Sequence, residues 1–170
     1  MHKEREINAS VSGSFEKHKP EIDKTIDELT DLGVKVLAPD KGWLLIPVRK
    51  LHIVIARNLP SNFRPLPSEI GMTIKEIEDR FLSAISRSDF LYIENPEGYI
   101  GHTVALELGF AIGGGIPVFS RKAITVEPGE EPLDFNYISY AKPKTPADSV
   151  RYIRNNLTNQ QKAPQKSIAQ

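Results

Sequence analysis

The stretch INASVSGSFEKHKPEIDKTIDELTDLGVKVLA, residues 7–38, decides the fold class of this chain. Its first part, residues 7–14, predicts a short strand that runs into a turn of small residues. A helix should follow, because Pro20 suits a first helical position and Gly33 a stop. Apolar residues recur there at helical spacing, at Ile22, Ile26, Leu29 and Leu32. Val34–Ala38 then predicts a second strand, so the stretch predicts a βαβ unit with a parallel sheet.

The same alternation continues beyond residue 72. A helix is expected where Thr73 and Glu76 have the spacing of a capping box. Short apolar runs and a second apolar helix, ended by the glycines at 113–115, follow it. The predicted elements are the helix Thr73–Arg87, the strand Phe90–Ile93, the helix Thr103–Ile112 and the strand Ile116–Phe119.

The remaining segments are less regular. The β-rich runs GWLLIPV and LHIVIA, within residues 41–72, predict an excursion or hairpin at one edge, and three prolines mark an irregular loop after them. A possible strand at Tyr137–Tyr140 and a last helix at Ala147–Leu157 complete the pattern. We expect residues 1–158 to form one α/β domain and residues 159–170 to form a polar, flexible tail.

Together these elements predict a doubly wound, flavodoxin-like parallel sheet of about five strands with helices on both faces. In such sheets ligands bind beyond the carboxyl ends of the strands, near the point where the strand order reverses. That rule selects two segments of this chain, Ser12–Phe15 and Glu94–Thr103. Asp89, at the amino end of its strand, should instead have a structural role.

Composition excludes several classes of function. Lys and Arg total 22, as do Asp and Glu, and this balance argues against binding duplex nucleic acid. The absence of cysteine excludes disulfides, thiolate metal sites and a cysteine nucleophile. The histidines lack metal-site spacing, so we expect neither a metal nor another cofactor. Without a signal peptide or a membrane-length apolar run, the chain is expected to be soluble and cytoplasmic, with no membrane partner.

Glu107 is the most informative single residue. It falls inside the apolar run VALELGF, where a bare charge would cost several kcal/mol or would take up a proton. A structural explanation is that the helix start or a Lys or Arg stabilises it. The functional alternative is that Glu107 faces the cleft, where a carboxylate can attack the anomeric carbon of a bound sugar. Gly98 and Gly101 would let the preceding loop turn tightly and direct its N–H groups, with those of the helix start, toward an anion.

The pattern G-Y-I-G-x-x-x-A-L-E-L-G-F-A from Gly98, preceded by S-D-F-L-Y-I and combined with the early S-G-S-F, resembles the nucleoside 2-deoxyribosyltransferase family. That family includes relatives that hydrolyse the N-glycosidic bond of deoxynucleoside 5′-monophosphates. The resemblance implies that Glu107 is the nucleophile and forms a covalent glycosyl–enzyme intermediate. It also implies that the substrate is a nucleoside or a nucleoside 5′-monophosphate, and that the chain forms a homodimer or a larger homo-oligomer.

The resemblance further implies contacts for the strand ends. The first-strand turn would line the sugar or phosphate end and stack the base. One of two polar residues, Glu94 or Asn95, at the end of the strand Phe90–Ile93 would contact the sugar hydroxyls. The following loop and helix start correspond to the place where some relatives hold a 5′-phosphate. The residues concerned are Ser12, Gly13, Ser14 and Phe15 in the turn, Glu94 and Asn95 at the strand end, and Tyr99, Gly101, His102 and Thr103 in the loop and helix start.

The sequence departs from that family at two places. Family transferases carry an Asp that assists the leaving base, and in ungapped register Phe81 occupies its position. Asp79 and Glu78 are the nearby acids, and we take Asp79 as the catalytic candidate. The carboxyl-terminal tail also lacks the group that family transferases borrow from a neighbouring subunit. These departures leave hydrolysis, an altered substrate, and nucleotide binding without turnover as alternatives, beside a purely structural role.

Overall fold

A computed structural model describes residues 5–39, 44–45, 63–64, 72–125 and 139–162 of the chain. Strands and helices alternate along most of them. In chain order the described elements are β1 (Ile7–Gly13), α1 (Phe15–Asp31), β2 (Val34–Ala38), β3 (Leu44–Leu45), β4 (Phe63–Arg64), α2 (Ile74–Ser86), β5 (Phe90–Glu94), α3 (His102–Gly113), β6 (Val118–Ser120), β7 (Ala141–Pro143) and α4 (Pro146–Lys162). Each helix and strand predicted within residues 7–38 and 73–120 is present, and most of their ends lie within a few residues of the predicted ones.

The central sheet has five strands in the order β2-β1-β5-β6-β7, and every neighbouring pair is parallel. Numbered within this sheet alone, the order is 2-1-3-4-5, which is the flavodoxin-like topology. The predicted fold class is confirmed. β1 is an interior strand beside the edge strand β2, with Ile7 opposite Val34 of β2 and Ser12 opposite Ile93 of β5.

Two apolar layers sandwich the sheet, because neighbouring residues of a strand point to opposite faces. On one face Ala9, Val11 and Tyr92 pack against α1 and α4. On the other face Leu91 and Ile93 pack against α2 and α3. The helices therefore cover both faces, and α3 packs against β1, β5 and β6 on its face.

The helix starts show which local signals are dependable. Thr73 accepts a hydrogen bond from the backbone N–H of Glu76, whose carboxylate accepts one from the Thr73 N–H, so the capping box is confirmed. By contrast, α1 begins at Phe15 and not at Pro20. His18 has non-helical backbone angles, so a short first turn precedes the kink and the main helix continues through Pro20. Proline fits there because the kink places it in the first turn of that main helix.

Three expectations for the irregular segments need correction. Leu44–Leu45 is a strand, but it pairs antiparallel with Phe63–Arg64, which lies in the segment predicted to be a proline-marked loop. The run LHIVIA lies outside the described residues. The strand predicted up to Tyr140 is wrong at Ser139–Tyr140, which form a 3₁₀ turn, and β7 begins one residue later. The last helix extends to Lys162, so the predicted tail begins helical.

Within the described residues, the helices are all too short or too polar to cross a bilayer.

Asp89 has the structural role expected at the amino end of β5. Its carboxylate accepts a hydrogen bond from the Asn8 backbone N–H at 2.8 Å and pairs with the Arg5 guanidinium. The glycines 113–115 end α3, and Gly115 adopts a φ of 70°.

Candidate active site

The candidate site lies where the strand order reverses. The chain passes from β1 outward to β2, then returns to β5 on the other side of β1. Gly13 and Glu94, the last residues of β1 and β5, are register partners at this edge. α1 and α3 both begin just beyond it, so their free N–H groups point to the same region. The two segments that the topology rule selected are brought together here.

Glu107 reaches this region from α3. It shares the buried side of the helix with Val104, Leu108 and Ala111, and only 8% of its surface is exposed. Ser12, which is fully buried near the end of β1, donates a short hydrogen bond from its hydroxyl to a Glu107 carboxylate oxygen. Within the described part of the chain Glu107 forms no ion pair with Lys, Arg or His. The structural explanation in which a Lys or Arg pairs with Glu107 is therefore not supported by the described residues.

Burial controls the ionisation of Glu107. Removal of the carboxyl group from water raises its pKa to about 7, from an ordinary value of 4.5. The Ser12 hydrogen bond opposes this effect because it stabilises the ionised form, whereas the negative charge of Glu78 adds to it. Glu107 therefore gains and loses its proton closer to neutral pH than an exposed glutamate does.

The turn after β1 packs too closely to accept a larger residue at Gly13. A β-carbon there would lie 2.9 Å from the Glu94 carbonyl oxygen and 2.9 Å from the Ile22 side chain. Ser14 occupies the N-cap position of α1, but its hydroxyl forms no capping hydrogen bond. Phe15 packs against the core layer of α1 and α4. Gly13 therefore holds the backbone close, while the predicted ligand contacts of the turn stay predictions.

Asn95 fixes the loop that follows β5. Its amide nitrogen donates to the carbonyls of Gly98 and Lys122, each at 3.1 Å, and its amide oxygen accepts from the Lys122 N–H at 3.0 Å. Gly98 has a φ of 95°, in the left-handed region that favours glycine, and a β-carbon there would lie 3.2 Å from the Thr125 hydroxyl. Asn95 therefore acts on the loop backbone. Its predicted contact with a sugar is untested.

Tyr99 connects this loop to the first turn of α1. Its hydroxyl accepts a hydrogen bond of 2.8 Å from the Lys17 ammonium group, which also lies 4.7 Å from the centre of the ring. The ring of His18 is a tilted neighbour at 6.3 Å. Sequence analysis did not identify Lys17. The contact joins the first turn of α1 to the loop that precedes α3.

The start of α3 is open to solvent. Gly101 is its N-cap, and His102 and Thr103 are exposed in its first turn. A β-carbon at Gly101 would meet no heavy atom within 4 Å. This arrangement leaves the first N–H groups of the helix accessible to an anion. The predicted position of these three residues is confirmed, and their contact with phosphate stays a prediction.

Glu94 belongs to a buried polar cluster on the α1 side of the sheet. Only 2% of Glu94 is exposed, and its carboxylate accepts hydrogen bonds from the Thr25 hydroxyl at 2.5 Å and the Arg121 guanidinium at 3.0 Å. Arg121 also donates to the Thr25 hydroxyl and to Glu28. These contacts indicate that Glu94 joins α1 to the ends of β5 and β6, and its predicted sugar contact is untested. Arg121 follows β6 directly, so the topology rule could have identified it.

Asp79, the catalytic candidate of the sequence analysis, lies on α2, and its catalytic role stays a prediction. It is exposed and pairs with Lys75 one turn earlier on α2. Glu78 is the α2 acid whose charge acts on Glu107. Helical periodicity predicts this difference between Glu78 and Asp79. At about 100° per residue, Glu78 lies about 20° around the helix axis from buried Ile85, whereas Asp79 lies about 120° from it.

The described residues contain no group of three His, Asp or Glu side chains placed to hold a metal ion. What the site offers is a buried carboxyl group with a raised pKa, a serine hydroxyl bonded to it and two helix starts. Comparison with protein families, with curated proteins and with solved structures finds no match to the chain.

Proposed function

We propose that this protein cleaves the N-glycosidic bond of a nucleoside or nucleoside 5′-monophosphate, or transfers its deoxyribosyl group, with Glu107 as the nucleophile. The observation that carries the proposal is the buried Glu107 carboxyl group at the switch point of the sheet, bonded to Ser12. Doubly wound folds bind ligands at this point. The sequence resemblance described above supports the same assignment.

The reaction would proceed in two steps. An ionised Glu107 oxygen attacks the anomeric carbon while the bond from that carbon to the base nitrogen breaks, and the electron pair leaves with the base. The base takes up a proton, for which Glu78, whose charge acts on Glu107, is a candidate donor beside Asp79. Water or an acceptor base then attacks the same carbon, gives up its proton, and releases the Glu107 carboxylate. Positive charge that develops on the sugar favours the ionised form of Glu107 during the first step.

The decisive assay measures base release and base exchange. The protein is incubated with deoxynucleosides and with their 5′-monophosphates, with and without a free acceptor base. We expect base release by the wild type and none by Glu107→Gln, with Glu97→Gln as a control at an exposed site. Base release that persists in Glu107→Gln would exclude the nucleophile assignment.

A second candidate function is nucleotide binding without turnover, in a sensor or regulatory module. It is favoured by the position of Asp79, because the acid expected to serve the leaving base is paired with Lys75 at the surface. Thermal stabilisation by a nucleotide, with no base released after long incubation, would support binding over catalysis.

We also propose that the chain acts as a homodimer or larger homo-oligomer. Leu106 and Phe110 are 58% and 40% exposed on the outer side of α3. Exposed apolar neighbours of this kind are typical of association surfaces. Sedimentation at several concentrations tests the proposal, and a monomer at every concentration would refute it.

A further inference from the structure

A groove of about 520 Å³ lies over the outer strands of the sheet, between α4 and the carboxyl-terminal end of α3. Val118 and Phe119 of β6 form part of its lining, and Lys142 of β7 stands beside Phe119 in the strand register. The groove includes residues that precede β6 and β7, such as Pro117 and Tyr140. The groove therefore opens toward the amino ends of these strands, whereas Glu107 lies near the carboxyl ends of the sheet strands.

The lining is suited to a flat apolar ring. Tyr152 of α4 packs edge-to-face on Phe119, with 5.6 Å between the ring centres. Tyr140 is 59% exposed, although it is one of the larger apolar side chains of the protein. Ile112 and Ile116 complete this part of the surface. Aromatic rings favour offset or edge-to-face contact with other rings, so this surface offers more than non-specific apolar contact.

The charge next to these aromatic rings is positive. Lys142 is the only charged residue among the described residues that line the groove. Its ammonium group lies 5.5 Å from the centre of the Tyr152 ring, and that of Lys144 lies 5.7 Å from it. A hydrogen bond with Asn156 and then the charge of Lys142 lower the pKa of Tyr152. An anionic group at this end of the groove would be attracted, and a cationic one repelled.

We propose that this groove is a second binding site, which takes a small planar aromatic anion such as an aryl carboxylate. Its ring would lie against Tyr140, Tyr152 and the isoleucines, and its carboxylate would pair with the Lys142 ammonium group. The volume is within the range of about 300 to 1,000 Å³ that small-molecule sites occupy. The site lies apart from Glu107 and does not depend on the glycosyl chemistry proposed above.

Two probes of the same shape and opposite charge test this proposal, 2-naphthoate and 2-naphthylmethylammonium. Each is titrated into the ¹⁵N-labelled full chain, and the backbone amide shifts of Ile112, Lys142 and Tyr152 are followed. We expect saturable shifts with 2-naphthoate and binding of the cation that is weaker by about tenfold or more. Lys142→Glu should weaken 2-naphthoate binding by about tenfold or more, while the control Lys35→Glu at a distant exposed lysine leaves it unchanged.

Three results would overturn the proposal. The first is equal affinity for the two probes, which would show apolar contact alone. The second is 2-naphthoate affinity that Lys142→Glu does not change. The third is absence of saturable shifts at these amides up to millimolar probe. Glu107→Gln should bind 2-naphthoate as the wild type does, and loss of binding in this variant would place the probe in the other site.

Discussion

Replacement of Glu107 by glutamine should stabilise the protein at alkaline pH far more than at acidic pH. Folding raises the pKa of this carboxyl group from 4.5 to about 7. Between these two values the folded state holds a proton that the unfolded state has released, so stability falls as pH rises and becomes level above about 7. Glutamine has no such proton, and it keeps nearly the same shape.

The size of the effect follows from the same two values. A difference of about 2.5 pKa units corresponds to about 3 kcal/mol in full, and about 2.5 kcal/mol of it is lost between pH 5 and pH 8. For a chain of this length, that amount changes the melting temperature by roughly 5 to 10 °C. The advantage of Glu107→Gln over the wild type should therefore grow by this amount from pH 5 to pH 8.

Differential scanning calorimetry at pH 5 and pH 8 measures this difference directly. Glu97→Gln is the matched control, since Glu97 is exposed in the loop before α3, and its effect should be the same at both pH values. A melting-temperature difference between Glu107→Gln and the wild type that does not change with pH would refute the argument that burial of an ionisable group dominates this site.

Three further predictions concern neighbouring residues. Ser12→Ala removes a hydrogen bond to the ionised carboxylate, so the pH of half-maximal kcat/KM for base release should rise by about one to two units; an unchanged profile would contradict this. Gly13→Ala should lower stability to urea by about 1 to 3 kcal/mol through overpacking, while Gly109→Ala, in open space on α3, should raise it slightly. Arg121→Met should cost about 3 to 5 kcal/mol by leaving Glu94 unpaired, and the additional change Glu94→Gln should restore part of this loss in the same urea titration.

The sequence was sufficient for the sheet because its signals are local and repeated. Apolar spacing, glycine stops and the capping box at Thr73 each act within a few residues, and the handedness of βαβ units then limits the topology. The strand expected up to Tyr140 was wrong because short apolar runs have no periodicity that fixes their ends. The partner of Leu44–Leu45 was missed because two-residue pairing depends on contacts far apart in the chain.

The sequence was sufficient to single out Glu107 in the candidate site, but not to predict the contacts of the residues around it. Glu107 was recognisable because a charge within an apolar helix needs an explanation. The roles of Glu94 and Asn95 were less accessible, since their partners Arg121 and Lys122 follow a different strand. The identity of a hydrogen-bond partner across two strands requires three-dimensional information that the spacing of residues does not contain.

The place of Ser12 on an interior strand has a consequence for motion. β1 has a hydrogen-bonded neighbour on each side, so its amide protons should exchange with solvent only when the whole domain unfolds. β1, with Ser12 on it, is therefore expected to stay in place during local fluctuations of the domain. For the ligand proposed above, the adjustment that admits it is expected at the more exposed contact between Lys17 and Tyr99.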